Sequence, residues 1–262
     1  GRAALDRQNL MAAELQAQEN VRLQRGLLPS PLLNDSRLEL ALFYRPGRDR
    51  ALLGGDFYDV VQTPSGVHLL VGDVSGHGPD EAAMGVALRI AWRTLVLAGH
   101  SGADVVRGVE RVLLAERNDI GQFATIAMVS MTPNFDRVEL FLCGHPTPMM
   151  IRGHDVAEID GSRLPVLTFV RDRVIAPTVV DASGDWGLLV FTDGLYEGRA
   201  APGSRDRFGV ERLAEELQSL VRAGTPRAEL VVELFNLAEA CNGGPLTDDV
   251  AALLVGTPGW WS

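Results

Sequence analysis

VHLLVGDVSGHGPDEAAMGVALRIAWRTLVLAG, residues 67–99, decides how the chain is read. Its first residues are apolar enough for a buried strand and end on Asp73. The glycine-rich turn GDVSGHG follows, and then Pro79, Asp80 and Glu81 open a helix that closes on Gly99. A carboxylate at the edge of a buried strand costs desolvation energy unless something positive stands beside it. Three more aspartates sit at the margins of apolar runs: Asp56 in GGDFYDV (54–60), Asp193 in LLVFTDGLYE (188–197) and Asp248 in LTDDVAALLV (246–255). The chain contains no lysine. A bound divalent metal is the expected positive partner.

Outward from this stretch the pattern is of short apolar runs divided by Gly, Pro, Asp and Asn. Strands are expected at 37–44, 67–73, 123–131, 136–142, 147–152, 174–180, 186–193 and 249–255, with TPNFD as a hairpin turn. Helices are expected at 79–99 and 102–117, then at 208–222 and 226–240, the last with Thr225 as N-cap and Pro226 at the first helical position. The polar segment 198–207 reads as a mobile flap. Many strands with two grouped helix pairs predict an α+β fold of packed sheets. Residues 2–25 lack Gly and Pro and predict a further helix. Two readings of it stand: an isolated amphipathic lead-in, or a signalling helix that joins an upstream sensor domain and pairs with its copy in a homodimer.

Composition narrows the function. A chain of 262 residues can bury about three-quarters of its unfolded surface, enough for one large or two small domains. The net charge of -10 argues against nucleic-acid or anionic-membrane surfaces and suits a site that gathers carboxylates around cations. Cys143 and Cys241 are too few for a disulfide framework. With no apolar run near the roughly 18 residues of a membrane span, a cytoplasmic location is expected.

Glycine precedes Asp56 and Asp73 and follows Asp193, permitting the tight turns that let carboxylates from distant strands converge. Three or four carboxylates with carbonyls and waters suit Mg²⁺ or Mn²⁺. Competing chemistries fail: neither cysteine has an arginine six residues on, a P-loop needs lysine, and no GxSxG elbow surrounds Ser75. His145 reads as a structural turn residue, Cys143 as core, and Trp92 and Met84 as helix packing. Trp260 and Trp261 read as a frayed tail.

GGDFYDV, GDVSGHG, FATIAMV (123–129), CGHPTPMM (143–150), FTDGLYEGR (191–199) and TDDVAALLV (247–255), in this order, resemble the SpoIIE/RsbU-type serine phosphatases. These are the bacterial branch of the metal-dependent, 2C-type (PPM) protein phosphatases. The resemblance covers about 34 to 256 and implies a central antiparallel β-sandwich flanked by helix pairs. It divides the chain into a linker helix (1–33), the phosphatase domain (34–256) and a tail (257–262).

By resemblance, Asp73 bridges two Mn²⁺ or Mg²⁺ ions, with the main-chain carbonyl of Val74 on one of them. Asp193 and Asp248 complete the other, and Asp56 binds directly or through water. Between Asp248 and Asp249 the first is favoured as ligand. Asp59 is read as pointing the same way in support, with a turn hydrogen bond as the alternative. The chemistry implied is in-line attack of a metal-activated water on phosphoserine or phosphothreonine, without a phosphoenzyme.

The chain departs from the pattern in three places. His77 stands where the family commonly has lysine and reads as a solvent-facing residue, with proton donation to the leaving oxygen as the alternative. Ala251 replaces a threonine, a packing change. Neither Arg45, Arg48 nor Arg50 is assigned to holding phosphate, so weak affinity for small esters follows. The expected substrate is a phosphorylated STAS-type anti-sigma-factor antagonist in a partner-switching pathway. The alternatives are a catalytically silent interaction module and a metal-dependent small-molecule phosphatase.

Overall fold

The computed structural model describes residues 28–47, 54–168 and 174–261. In chain order the first strands are β1 (Glu39–Arg45), β2 (Asp56–Thr63), β3 (Gly66–Val74), β4 (Ala124–Met131), β5 (Arg137–Cys143) and β6 (Met149–Arg152). They are followed by β7 (Asp155–Glu158), β8 (Arg163–Leu164), β9 (Thr178–Asp181), β10 (Gly187–Phe191) and β11 (Val250–Gly256). Helices α1 (Pro79–Leu97) and α2 (Gly102–Glu116) come between β3 and β4, and α3 (Val210–Arg222) and α4 (Arg227–Asn242) between β10 and β11. One sheet has the order β2-β3-β4-β5-β8, with β9 also on β5; the other runs β1-β11-β10-β6-β7. Among these ladders only the two-residue β5–β8 contact is parallel.

Side-chain parity builds three cores from these strands. On β3, Val67, Leu69 and Val71 point between the sheets, where Tyr58, Val60, Val190 and Leu253 meet them. Leu70 and Val74 point the other way and pack under Leu88, Trp92 and Val96 of α1. On the far sheet Leu189, Phe191, Ala252 and Leu254 are covered by Leu213 and Leu217 of α3 and Leu230 and Leu234 of α4. Sheets covered on both faces need near-continuous apolar strands, as GLLVF and VAALLVG are. The four layers are helices, sheet, sheet, helices: the α+β sandwich flanked by helix pairs that the sequence leads one to expect.

Several expectations need correction. The strand expected at 174–180 begins only at Thr178, because Pro177 has no N–H to give the ladder and Val174 is exposed. β2, β7 and β8 are strands that the apolar pattern does not announce. Pro226, not Thr225, is the N-cap of α4. Segment 198–207 is a closed turn, not a loose flap: Arg199 bridges Arg207, and Ala200 N–H donates to the Asp206 carbonyl at 2.8 Å. Nor is the tail frayed at Trp260, which is 6% exposed. Its ring lies against Gly187 and Gly256, where any side chain would collide with it, and Arg227 stands 5.9 Å from its centroid.

The helix expected at 2–25 lies outside the described residues, as do Arg48 and Arg50. Immediately after it, Leu32 N–H donates to the Val60 carbonyl at 2.9 Å and Gln62 N–H to the Leu32 carbonyl at 2.7 Å. Leu32 is thereby laced onto the outer edge of β2.

Candidate metal centre

Parity also places the polar groups. On β2 and β3 the residues facing the other sheet are Asp56 and Asp73, cross-strand partners at the end of the ladder. On β4 it is Thr125, the partner of Asp73 on its other side. Continuing β10 by one residue gives Thr192, fully buried, and continuing β11 backward gives Asp249. The sandwich thus carries polar groups from both sheets at this end.

Asp56 and Asp73 lie close enough across the ladder that the charge of Asp73 bears on Asp56. Thr192 donates its hydroxyl proton to Asp56 Oδ2 at 2.6 Å. The hydroxyl oxygen in turn accepts from Ala251 N–H at 2.9 Å, which ties β10 to β11. Asp193 opens a 3₁₀ turn whose tightness depends on Gly194: a Cβ there would stand 1.9 Å from the Asp249 carbonyl oxygen. This close approach brings the Asp193 turn against the Asp248–Asp249 pair.

The two members of that pair have different company. Asp249 accepts from Gly47 N–H at 2.8 Å and Gly55 N–H at 2.9 Å, stitching the β1–β2 connection to β11. Asp248 is exposed at the mouth, where its charge acts on Asp73 and Asp193.

Asp59 does not join this group. Three residues from Asp56, it falls on the opposite face of β2, fully buried under α1. There Arg93 donates to Oδ2 at 2.8 Å and Oδ1 at 2.5 Å, and Arg89 to Oδ2 at 3.3 Å. The expectation that it points toward the ligands fails because a strand alternates with period two. Arg45 also points away, its guanidinium 5.0 Å from the Phe235 ring centroid. His77 is exposed on the turn after Asp73, and Ser75 Oγ is occupied by Phe123 N–H at 3.0 Å.

Burial is the largest influence on the carboxylates, and their neighbours add to it. Burial, then Asp73, raises the pKa of Asp56 well above the ordinary carboxylate value. Burial, with Asp193 and Asp248, pushes Asp73 up to about 8. Burial, with Glu197 and Asp248, pushes Asp193 up to about 6. No cation figures among these causes. Among the described residues the leading influences on these oxygen donors include no basic side chain, the setting a hard divalent ion requires. The backbone agrees: a Cβ on Gly55 would come within 2.7 Å of the Val74 carbonyl oxygen and 3.1 Å of Asp73 Oδ1, so glycine keeps that corner clear. Among the described residues no three such groups have closed to a finished shell.

The family described as Stage II sporulation protein E (SpoIIE) matches residues 63–258. The chain belongs to the SpoIIE family. Phosphoserine phosphatase RsbP of Bacillus subtilis is 20% identical over 184 residues, which cover 69% of this chain and 45% of RsbP. The chain therefore spans about half the length of that relative. The solved RsbU and RsbW domains of Rv1364c from Mycobacterium tuberculosis align with a TM-score of 0.74 at 23% identity, over 84% of this chain and 60% of that one. The SiaA-PP2C domain of Pseudomonas aeruginosa also gives 0.74, at 20% identity, over 93% and 97%. The fold is the PP2C phosphatase fold of these neighbours.

This SpoIIE-family cleft contains groups that the motif reading passed over. Thr192, inside FTDGLYE, ties Asp56 to β11, and Thr125, inside FATIAMV, flanks Asp73. Period-two counting back along LLVF and ATIA from the apolar inward positions finds both.

Proposed function

We propose that this domain is a Mn²⁺- or Mg²⁺-dependent protein serine/threonine phosphatase acting on a phosphorylated STAS-type anti-sigma-factor antagonist in the cytoplasm. The observation that carries the proposal is the Asp56–Asp73 pair at the end of the β2–β3 ladder, with the charges of Asp193 and Asp248 from the second sheet bearing on Asp73. Asp56, Asp73, Asp193, Asp248 and the Val74 carbonyl would hold two ions, with Asp249 fixing the loops around them. Bound divalent ions supply positive charge for the phosphoryl oxygens and acidify a water toward neutrality. The chain contributes position. Thr192 fixes Asp56 Oδ2, Gly194 brings Asp193 beside Asp248, and the Asp249 carboxylate holds Gly47 and Gly55 at the rim.

No serine or cysteine nucleophile is poised at the cleft among the described residues, which agrees with direct attack by water. With Arg45 turned away, phosphate binding rests on the ions, and a protein substrate must supply affinity through its own surface. Small esters are expected to bind weakly. The SpoIIE family membership and the pairing of an RsbU with an RsbW domain in the Mycobacterium tuberculosis neighbour support the partner-switching setting. Residues 1–33 would link the domain to a sensor and pair in a homodimer, and removing residues 1–28 is expected to change turnover.

Phosphate release from a phosphoserine STAS protein with Mn²⁺, comparing wild type with Asp193→Asn, tests the proposal. Release by wild type and its loss in the variant are expected. No release at any Mn²⁺ concentration would favour a silent interaction module, and release from small esters alone a small-molecule phosphatase.

A further inference from the structure

His145 is 3% exposed and lies at the floor of the cleft, just after Gly144 (φ +65°) turns the chain out of β5. It is neither core filler nor a ligand. Its Nδ1 is 2.8 Å from Thr125 Oγ1, and Thr125 stands opposite Asp73 on the same face of the sheet. The Phe191 carbonyl lies close enough to favour a proton on the ring, although Nε2 has no well-aligned partner. Phe191 immediately precedes Thr192, the residue that holds Asp56. One imidazole thus touches the strand next to Asp73 on one sheet and the strand end that carries Thr192 and Asp193 on the other.

The proton inventory gives this contact a direction. Burial keeps the ring neutral, its pKa lowered to about 3, so one nitrogen donates and the other accepts. A carbonyl only accepts, so a proton on Nε2, toward Phe191, leaves Nδ1 as the acceptor. In that tautomer Thr125 gives its hydroxyl proton to His145. The Thr125 oxygen, on the strand paired with Asp73, is then left with lone pairs alone, able to accept from a water but not to donate to Asp73.

We propose that His145 is a positioning residue that, by taking the Thr125 hydroxyl proton, keeps both oxygens of Asp73 available to cations. Without it, the Thr125 hydroxyl turns and donates to Asp73, occupying a lone pair the ions need. The inference rests on the metal-dependent reading above.

Calorimetric titration of metal-stripped protein with Mn²⁺ alone tests it, at a temperature where circular dichroism shows every variant folded. His145→Leu should raise the Mn²⁺ dissociation constant about 10–100-fold, the scale of lost outer hydrogen bonds. His145→Asn, which returns an acceptor near the Nδ1 position, should stay near wild type. Thr125→Val should restore affinity to His145→Leu, because no hydroxyl remains to misdirect; a merely structural role gives no such rescue. If His145→Leu does not fold, His145→Gln, whose amide reaches past Thr125, replaces it against His145→Asn. Equal affinity in wild type and His145→Leu, or a double variant no tighter than His145→Leu, overturns the proposal. Wild type that binds no Mn²⁺ overturns the metal-dependent reading itself, and this inference with it.

Discussion

A single hydroxyl at Thr192 joins two strands to the acidic cluster, donating to Asp56 and accepting from Ala251 N–H, while the Thr192 backbone N–H pairs with the Ala251 carbonyl at 3.0 Å. Thr192→Val keeps the shape and removes the hydroxyl, so Asp56 loses its fixed orientation. A drop of about 10–100-fold in Mn²⁺ affinity or phosphate release is expected, with the fold retained by circular dichroism. Asp73→Asn should be harsher, because it removes a charged donor from the centre of the cluster. Phosphate release at saturating Mn²⁺ should fall below that of Thr192→Val, and the reverse ranking would count against Asp73 as the central ligand. At this scale the sequence shows much. Asp56, Asp73, Asp193 and Asp248 stand out as charges at apolar margins, and the charges of Asp193 and Asp248 bear on Asp73. Asp59 misleads, because GGDFYDV looks like one acidic motif until the strand's alternation turns its second aspartate to the other face. Thr125 and Thr192 are hidden because a lone threonine in an apolar strand reads as β-propensity.

At the scale of elements, the Asp59 ion cluster binds β2 to α1, and Arg93 also donates to the Ser30 carbonyl at 2.9 Å, drawing in the lead-in. Asp59→Asn leaves two arginines facing a neutral amide under the helix. Breaking a buried pair of this kind costs about 3–5 kcal/mol, at the lower end here because Arg93 is 22% exposed. Chemical denaturation should show that loss, whereas an exposed pair such as Arg107–Asp104 should be worth under about 1 kcal/mol. Most elements are legible from period and punctuation. The helix at 79–99 announces itself by Pro79 and the acidic first turn, and β10 and β11 by their apolar runs. The short β7 and β8 carry too few residues to show a period. β2 is masked by its two aspartates, and the strand at 174–180 is overextended because valine and isoleucine suggest pairing that Pro177 forbids.

For the whole molecule, the raised carboxylates make stability depend on pH with a definite sign. Folded Asp73 and Asp193 keep their protons to about 8 and about 6, while the unfolded chain releases them near 3.8. The stabilising contribution of these two groups in the metal-stripped protein should therefore be fullest below about pH 4 and be lost as pH rises toward 8. Each tenfold difference in proton affinity between the folded and unfolded chain corresponds to about 1.4 kcal/mol. Thermal melts from pH 5 to 8 should show a falling Tm without metal. Saturating Mn²⁺ should oppose the fall at high pH, adding about 3 kcal/mol at a hundredfold excess over Kd. A flat profile would mean that the acidic pair does not titrate in this window.

The pairing of β1 with β11 alone has a consequence for how the protein is made. β1 is made long before β11 and stays without that neighbour until β11 has followed it out of the ribosome. Asp56 and Asp73 can be in place early, but Asp248 arrives only with the closing strand. A nascent or prematurely terminated chain ending before Asp248 would carry three of the four aspartates and an open sheet edge, and the proposed hydrolysis would have to wait for β11.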